Sequence, residues 1–230
     1  MEQNHQEKVF AKIWKPQFEK IKEEVPGIVL ENCASGGHRL EPKLMSVMSM
    51  ASFSDAHECE EIPIIAANLH RVIHPAQSQI WAVIRQDDSL KRIAYSISNT
   101  FLGRMCISGD VTQLAPEKWN LIEQGISFYG KIKDIIKEGQ SYRYGPKIKS
   151  ARHPEGWQAL LRVGKNKQAY VVIHVFGGEL PEVIEIELPE GIPDHIRQIY
   201  AHQEMEVSIK DRKIYYRPSE NKSAVTLWLE

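Results

Sequence analysis

The sequence predicts an α/β layer of parallel strands followed by an all-β unit, and three observations predict it. Segments of helical and strand-like period alternate as far as Gly139, the pattern of a parallel sheet covered by helices. Beyond Gly139 the helical period disappears, and short β-branched segments are separated by Gly, Pro, Asn and charged turns, which is the pattern of an antiparallel β-sandwich. Two blocks of reactive side chains, Glu31 to Arg39 and Ser52 to Asp55, each follow an apolar run. In an α/β barrel, parallel strands deliver such residues to the rim where the chemistry is done.

Taken in order, Val9, Phe10, Ile13, Trp14, Phe18, Ile21 and Val25 recur at helical spacing, with Pro16 forcing a kink or a fresh start. Gly27 to Leu30 is a short apolar run with two β-branched residues and reads as a buried parallel strand. Pro42 to Met48 makes a helical turn, Ser49 to Phe53 a second strand, and a helical stretch carrying Ile62, Ile64, Ile65, Leu69 and Val72 follows Asp55. Gln79 to Ile84 reads as a strand. Asp87 to Phe101 reads as a helix with capping carboxylates at its head and Leu90, Ile93, Ala94 and Ile97 on one face. After a strand at Arg104 to Ser108, Pro116 opens a long helix that ends at Gly139.

Ser141 to Glu155, rich in Tyr, Gly, Pro and basic residues, reads as a connector. Six strands are expected after it: Trp157 to Val163, Gln168 to Phe176, Val183 to Leu188, Ile196 to Tyr200, Lys213 to Arg217 and Ala224 to Leu229. The expected division is therefore residues 1–144 for the α/β part and 145–230 for the sandwich. No repeat or low-complexity tract suggests a solenoid.

Composition narrows the function classes. With 230 residues and 42% hydrophobic content the chain can bury a real core. A net charge of −1 gives no general attraction to nucleic acid or an anionic membrane. There is no apolar run of about 20 residues to span a bilayer, and the polar N-terminus does not read as a signal peptide. Three cysteines, an odd number, fit a reducing compartment, and a cytoplasmic protein is expected.

The loop beginning at Glu31 places Gly36 and Gly37 where backbone amides can approach a ligand closely. Cys33 and Arg39 flank that concavity. Asp55 stands where the chain leaves its strand. There it is either a helix cap accepting bonds from the following amides or a partly desolvated acid able to donate a proton near neutral pH. Cys33 on composition alone is a small buried hydrophobe. Arg39 reads best as a structural tie between the glycine loop and Glu31 or Glu41. Glu31 and Asp110, both at strand ends, are weaker carboxylate candidates. His57, His70 and His74 with Glu58, Cys59, Glu60 and Glu61 supply metal-ligand types, but no His-Glu-x-x-His string is present, and a solvated helix start explains the cluster better. Lys147, Lys149, Arg152 and His153 beside Trp157 read as a charged linker, not a nucleic-acid patch.

Glu31-Asn32-Cys33-Ala34-Ser35-Gly36-Gly37 and Ser54-Asp55 resemble the two late barrel motifs of glycoside hydrolase family 36, the bacterial α-galactosidases. Phe101 to Asp110 resembles that family's last barrel strand and loop. The resemblance runs from about the first helix to the C-terminus. It implies a retaining two-carboxylate mechanism in which Asp55 is the general acid/base, Cys33 lines the galactose pocket and Gly36 belongs to the loop beside it. It implies no metal or organic cofactor, and a substrate with terminal α-linked galactose. His38 and Glu41 depart from the family pattern, where a glycine and an aspartate are usual, and Ser52 stands where an aromatic often precedes the Ser-Asp pair.

Nothing upstream of Leu30 resembles the strand that carries the family's nucleophile, an aspartate in a Lys-Trp-Asp type motif. A full (β/α)₈ barrel takes about 250 residues, so the expected fold is the second half of such a barrel followed by the β-sandwich. The isolated chain is then expected to be inactive or nearly so. The alternative is a non-catalytic binding or complementation module that pairs with a separate N-terminal half-barrel or with its own copies.

Overall fold

The computed structural model describes residues 10–33, 37, 39–53 and 60–230. A π-helical turn, Phe10–Trp14, gives way at Lys15 to α1, Lys15–Glu24, so the fresh start falls at Pro16 as its missing N–H requires. Four parallel strands follow: β1 Glu31–Asn32, β2 Met50–Ser52, β3 Ser78–Ile84 and β4 Arg104–Gly109. The intervening helices are α2 Pro42–Met45, α3 Ile62–Leu69 and α4 Leu90–Thr100, and α5 Pro116–Glu138 comes after β4. The strand order in space is β1-β2-β3-β4. That order never reverses, as it would in a doubly wound sheet. It is the winding of a barrel segment.

The antiparallel part comprises β5 Gln140–Tyr144, β6 Trp157–Val163, β7 Ala169–Val175, β8 Ile184–Glu187, β9 Ile196–Tyr200, β10 Glu206–Lys210, β11 Lys213–Arg217 and β12 Ser223–Leu229. They form a five-stranded sheet, β5-β6-β7-β12-β9, packed on a three-stranded sheet, β10-β11-β8. Ala159, Leu161, Val171, Ile173, Val225 and Leu227 from the larger sheet meet Ile184, Ile186, Ile214 and Tyr216 from the smaller one.

The period of two sends the alternate residues of the larger sheet to its other face. There Leu160, Tyr170, Val172 and Tyr200 join Ile93, Ile97, Phe101, Ile122 and Phe128 of α4, its C-terminal turn and α5 in one cluster with Ile80, Ala82 and Ile84 of β3. Phe101 lies 5.1 Å from Phe128 and edge-on to Tyr200 at 5.3 Å, ring centroid to centroid. The buried phenols are satisfied: Tyr170 Oη donates to Phe101 O at 2.6 Å and Tyr200 Oη to Leu121 O at 3.2 Å. Burial raises both phenol pKa values above the ordinary tyrosine range.

Several local expectations are corrected. Gly27 takes φ +85°, and the ladder begins only where Ser49 N donates to Leu30 O, so the first strand is Glu31–Asn32 rather than Gly27 to Leu30. The cap of α4 is Ser89, whose Oγ accepts from Arg92 N. Asp88 instead accepts from Arg85 N and pairs with Arg92. The connector begins as an edge strand, β5, in register with β6 from Gln140 opposite Val163 to Tyr144 opposite Ala159. Its polar sequence is what an edge strand tolerates. An unanticipated strand, β10, pairs with β11 through a two-residue turn in which Asp211 and Arg212 both have positive φ. Ile13, Trp14 and Val25 of the amphipathic N-terminal stretch are more than half exposed.

One relay stitches the two layers. Arg162, 3% exposed, donates from Nη1 to Ser141 Oγ at 2.7 Å and from Nε and Nη2 to Ile135 O and Ile136 O. His70 Nε2 lies 2.5 Å from Leu102 O and so must be the protonated nitrogen, leaving Nδ1 to accept from the Ser141 hydroxyl at 2.8 Å. Burial, with the nearby Arg162 and His74 charges, pulls the His70 pKa down to about 4. His174, buried between Tyr95 and Phe176, is held at about 3 by burial.

Both rings bind protons more readily when unfolded, near pH 6.5, than when folded. Their contribution to stability is therefore complete above pH 6.5 and is lost as the pH falls toward 4 and then 3. Urea titrations at pH 7 and pH 5 are expected to differ by about 2 kcal/mol per ring; equal midpoints would contradict the assigned environments. A second expectation concerns the α4–α5 crossing, where a Cβ on Gly125 would lie 2.5 Å from Ile97 Cγ2 and 3.1 Å from Tyr200 Oη. Gly125→Ala, favourable in an isolated helix, is expected to destabilise by about 1–3 kcal/mol in the same titration.

Candidate active site

Because β1 to β4 are parallel, their C-terminal ends share one edge, and the segments after Asn32, Ser52, Ile84 and Gly109 all leave from it. The pleat sorts the strand side chains. Ala51, Ile80, Ala82 and Ile84 are buried on the helix side, where Met105 and Ile107 also pack. Their neighbours Met50, Ser52, Gln79, Trp81, Val83, Arg104, Cys106 and Ser108 project from the opposite face. Register brings Ser52, Gln79 and Arg104 into one row and Trp81 beside Cys106 in the next. In a closed barrel this face is the interior; here β4 is only partly buried along its length.

Trp81 Nε1 donates to Ser52 Oγ at 3.2 Å, fixing the indole against the end of β2. Arg104 donates from Nε to Ala76 O at 3.1 Å, and its Nη1 lies 3.5 Å from Met50 Sδ. Gln79 is buried, and its Oε1 has no hydrogen-bond partner among the described residues. The face thus offers an anchored aromatic ring and several donors, a mixture suited to a sugar whose ring faces are apolar and whose edges are hydroxyls.

The loop after β1 is held from inside. Asn32, buried, donates from Nδ2 to Arg39 O at 2.5 Å, closing the loop across its base. Gly37 has φ +88°, and a Cβ there would lie 2.5 Å from Phe53 O. Only glycine permits both the left-handed backbone and that approach. The glycine loop therefore packs directly on the chain as it leaves β2, and the two sequence blocks that suggested a site come together at this point.

Cys33 is exposed at the end of β1. Asp55 and Gly36 lie outside the described residues, as do His57, Glu58 and Cys59. Arg39 is tied to the loop through its carbonyl, and among the described residues it makes no ion pair with Glu31 or Glu41. Glu31 and Asp110 are both exposed; Asp110 N donates to Ile84 O at 2.8 Å while its side chain makes no capping bond. His70 and His74 do not share a helix face: His70 ends α3, and His74 Nδ1 accepts from Ala76 N ahead of a 3₁₀ turn. Among the described residues no group of three or more His, Cys, Asp or Glu could hold a metal ion, and no helix is long and apolar enough to cross a membrane.

Asn32 and Trp81 were not singled out from sequence as site residues. Trp81 carried a usable signal, since the alternation in Ser78 to Ile84 puts Gln79, Trp81 and Val83 on the face opposite the isoleucines. Asn32 carried none, because its burial depends on the fold of the loop it closes.

No family model matches the sequence, and no curated protein does. Solved structures do. The galactosidase domain of an α-galactosidase–sucrose kinase matches with a TM-score of 0.69 and 17% identity over 93% of this chain and 30% of its own. A glycoside hydrolase family 36 α-galactosidase of Geobacillus stearothermophilus, in complex with raffinose, matches at 0.67 with 16% identity over 93% of this chain and 30% of its own. The α-galactosidase of Lactobacillus brevis matches at 0.66 with 16% identity, again over 93% and 30%. The chain therefore has the fold of a part of these α-galactosidases and spans about 30% of their length.

Proposed function

We propose that this chain is the acid/base half of a retaining glycoside hydrolase acting on terminal α-galactosides. Asp55 gives its proton to the glycosidic oxygen as a nucleophilic carboxylate bonds to the anomeric carbon; it then takes a proton from the water that releases the sugar. Cys33 and Gly36 line the sugar pocket, and Trp81, anchored on Ser52, forms part of its floor. The nucleophile comes from a preceding half-barrel, either in the same polypeptide or in a docked partner. The four-stranded open sheet is the observation that carries this reading. Among the described residues no strand pairs with the outer edge of β1 or of β4, so the sheet is open on both sides. Cys33 and Cys106, both unpaired, support a reducing, cytoplasmic setting.

The exposed apolar side chains that precede β1 in the chain favour the docking aspect of the proposal. Ile13, Trp14, Val25 and Val29 are each more than half exposed, and such residues gather at surfaces that another element covers. Gel filtration of the isolated chain is expected to show self-association or aggregation, and a well-behaved monomer at high concentration would count against an unclosed barrel.

Catalysis is tested by complementation. The chain alone is expected to release no measurable product from an aryl α-galactoside, and addition of a nucleophile-bearing half-barrel is expected to restore turnover. In the complemented enzyme Asp55→Asn should lower kcat by about 10²–10⁴-fold on an unactivated trisaccharide. The loss should be smaller on an aryl substrate, whose leaving group needs less protonation. Turnover by the chain alone, or equal losses on both substrates, would overturn the assignment.

A further inference from the structure

A cavity of about 510 Å³ lies where the C-terminal ends of α3 and α5 meet β5 and β6. It is far from the candidate active site in the topology, because Pro75 on its wall precedes β3 and Leu102, bonded to His70, precedes β4. These are the N-terminal ends of the parallel strands. Its wall is cationic through Arg71, Arg143 and Arg162, with His70 and His74, whose pKa values burial lowers, beside them. Among the described residues no Asp or Glu lines it.

The bland explanation is that these cations cap two helices, and for Arg162 it holds: all three of its bonded nitrogens are committed to Ile135 O, Ile136 O and Ser141 Oγ. A helix C-terminus, however, offers only about half an elementary charge. Arg71 and Arg143 add two guanidinium charges that no carboxylate in the wall offsets. They lie close enough that Arg71, together with burial, lowers the Arg143 pKa. Arg143 spends Nη1 on Asn68 Oδ1 at 2.7 Å, which orients the plane of its guanidinium. Lys137 adds a further positive charge felt by His74.

We propose that this cavity binds a phosphoryl group, with Arg71 and Arg143 as its forked ligands and Arg162 as a fixed, buried positive charge behind them. Guanidinium forks match the oxygens of phosphate in paired hydrogen bonds, and a tetrahedral dianion offsets two such charges at once. The volume exceeds a bare ion and suits a small phosphate ester. Arg162 and Ser141 join α5 to the sandwich, and His70 joins α3 to β5 and to the turn after α4, so an occupied site braces the junction between the layers.

The test is calorimetric titration of the full chain with inorganic phosphate and with a hexose 6-phosphate, in chloride buffer of matched ionic strength, beside the thermal midpoint in each. Saturable one-to-one binding with a rise in midpoint is expected. Arg71→Gln and Arg143→Gln should each weaken binding at least tenfold, while Arg143→Lys retains part of it. Tighter binding of the ester than of the free ion identifies an esterified ligand, and equal binding identifies the ion; both support the site. Absence of saturable binding by either probe overturns the proposal, as does unchanged binding in Arg71→Gln. That variant alters an exposed side chain and so remains decisive if Arg143→Gln fails to fold.

Discussion

Burial of both faces of the five-stranded antiparallel sheet is the constraint on which the rest of the molecule depends. One face closes the sandwich with Ile184, Ile186 and Ile214. The other presents Leu160, Tyr170, Val172 and Tyr200 to α4 and α5. Those two helices in turn cover Ile80, Ala82 and Ile84 of β3, so the parallel sheet gets its packed side through the sandwich. An open four-stranded parallel sheet exposed on one face is a poor autonomous unit, since such sheets are ordinarily covered on both. The sandwich works here as a backing plate that fixes half of a barrel.

The candidate site inherits this arrangement. Its fixed wall consists of β3 and β4, held from behind by the helices, with Trp81 pinned by Ser52 and Arg104 by Ala76 O. Beside it, Gly37 after β1 closely approaches Phe53 O at the end of β2. At the opposite ends of the strands, Arg162, Ser141 and His70 form a directed hydrogen-bond chain whose carbonyl endpoints belong to two segments, the end of α5 and the turn after α4. His70, whose pKa burial lowers, thus shares its hydrogen-bond chain with the cationic cavity.

Much of the fold was legible from pattern. Pro116 marked the start of α5, the apolar spacing of Ile93, Ala94 and Ile97 marked the buried face of α4, and the short β-branched runs of β7 and β12 between turn residues marked a sheet. Misreadings fell where local chemistry was ambiguous. Asp87 and Asp88 looked like caps, but Ser89 was better placed and Asp88 turned inward to Arg85 N and Arg92. Ser141 to Tyr144 looked like the start of a linker because its polar side chains suit solvent, as those of an edge strand also do. Glu206 to Lys210 alternates polar with apolar residues over only five positions and is followed by Asp-Arg instead of an Asn-Gly turn, so β10 was recognised only through its register with β11.

The sequence alone determined the order and type of the main elements, because apolar period, proline and glycine act over a few residues and need no distant partner. It also named the two blocks after β1 and β2, whose residue types betray chemistry without any coordinates. Only the tertiary structure decided that Gly37 brings those blocks into contact. It alone bonded Trp81 to Ser52, placed Asn32 under the loop and gathered Arg71, Arg143 and Arg162 around one cavity. Those outcomes depend on strand register and helix crossing, which are set by long-range packing and leave no short-range trace in the chain.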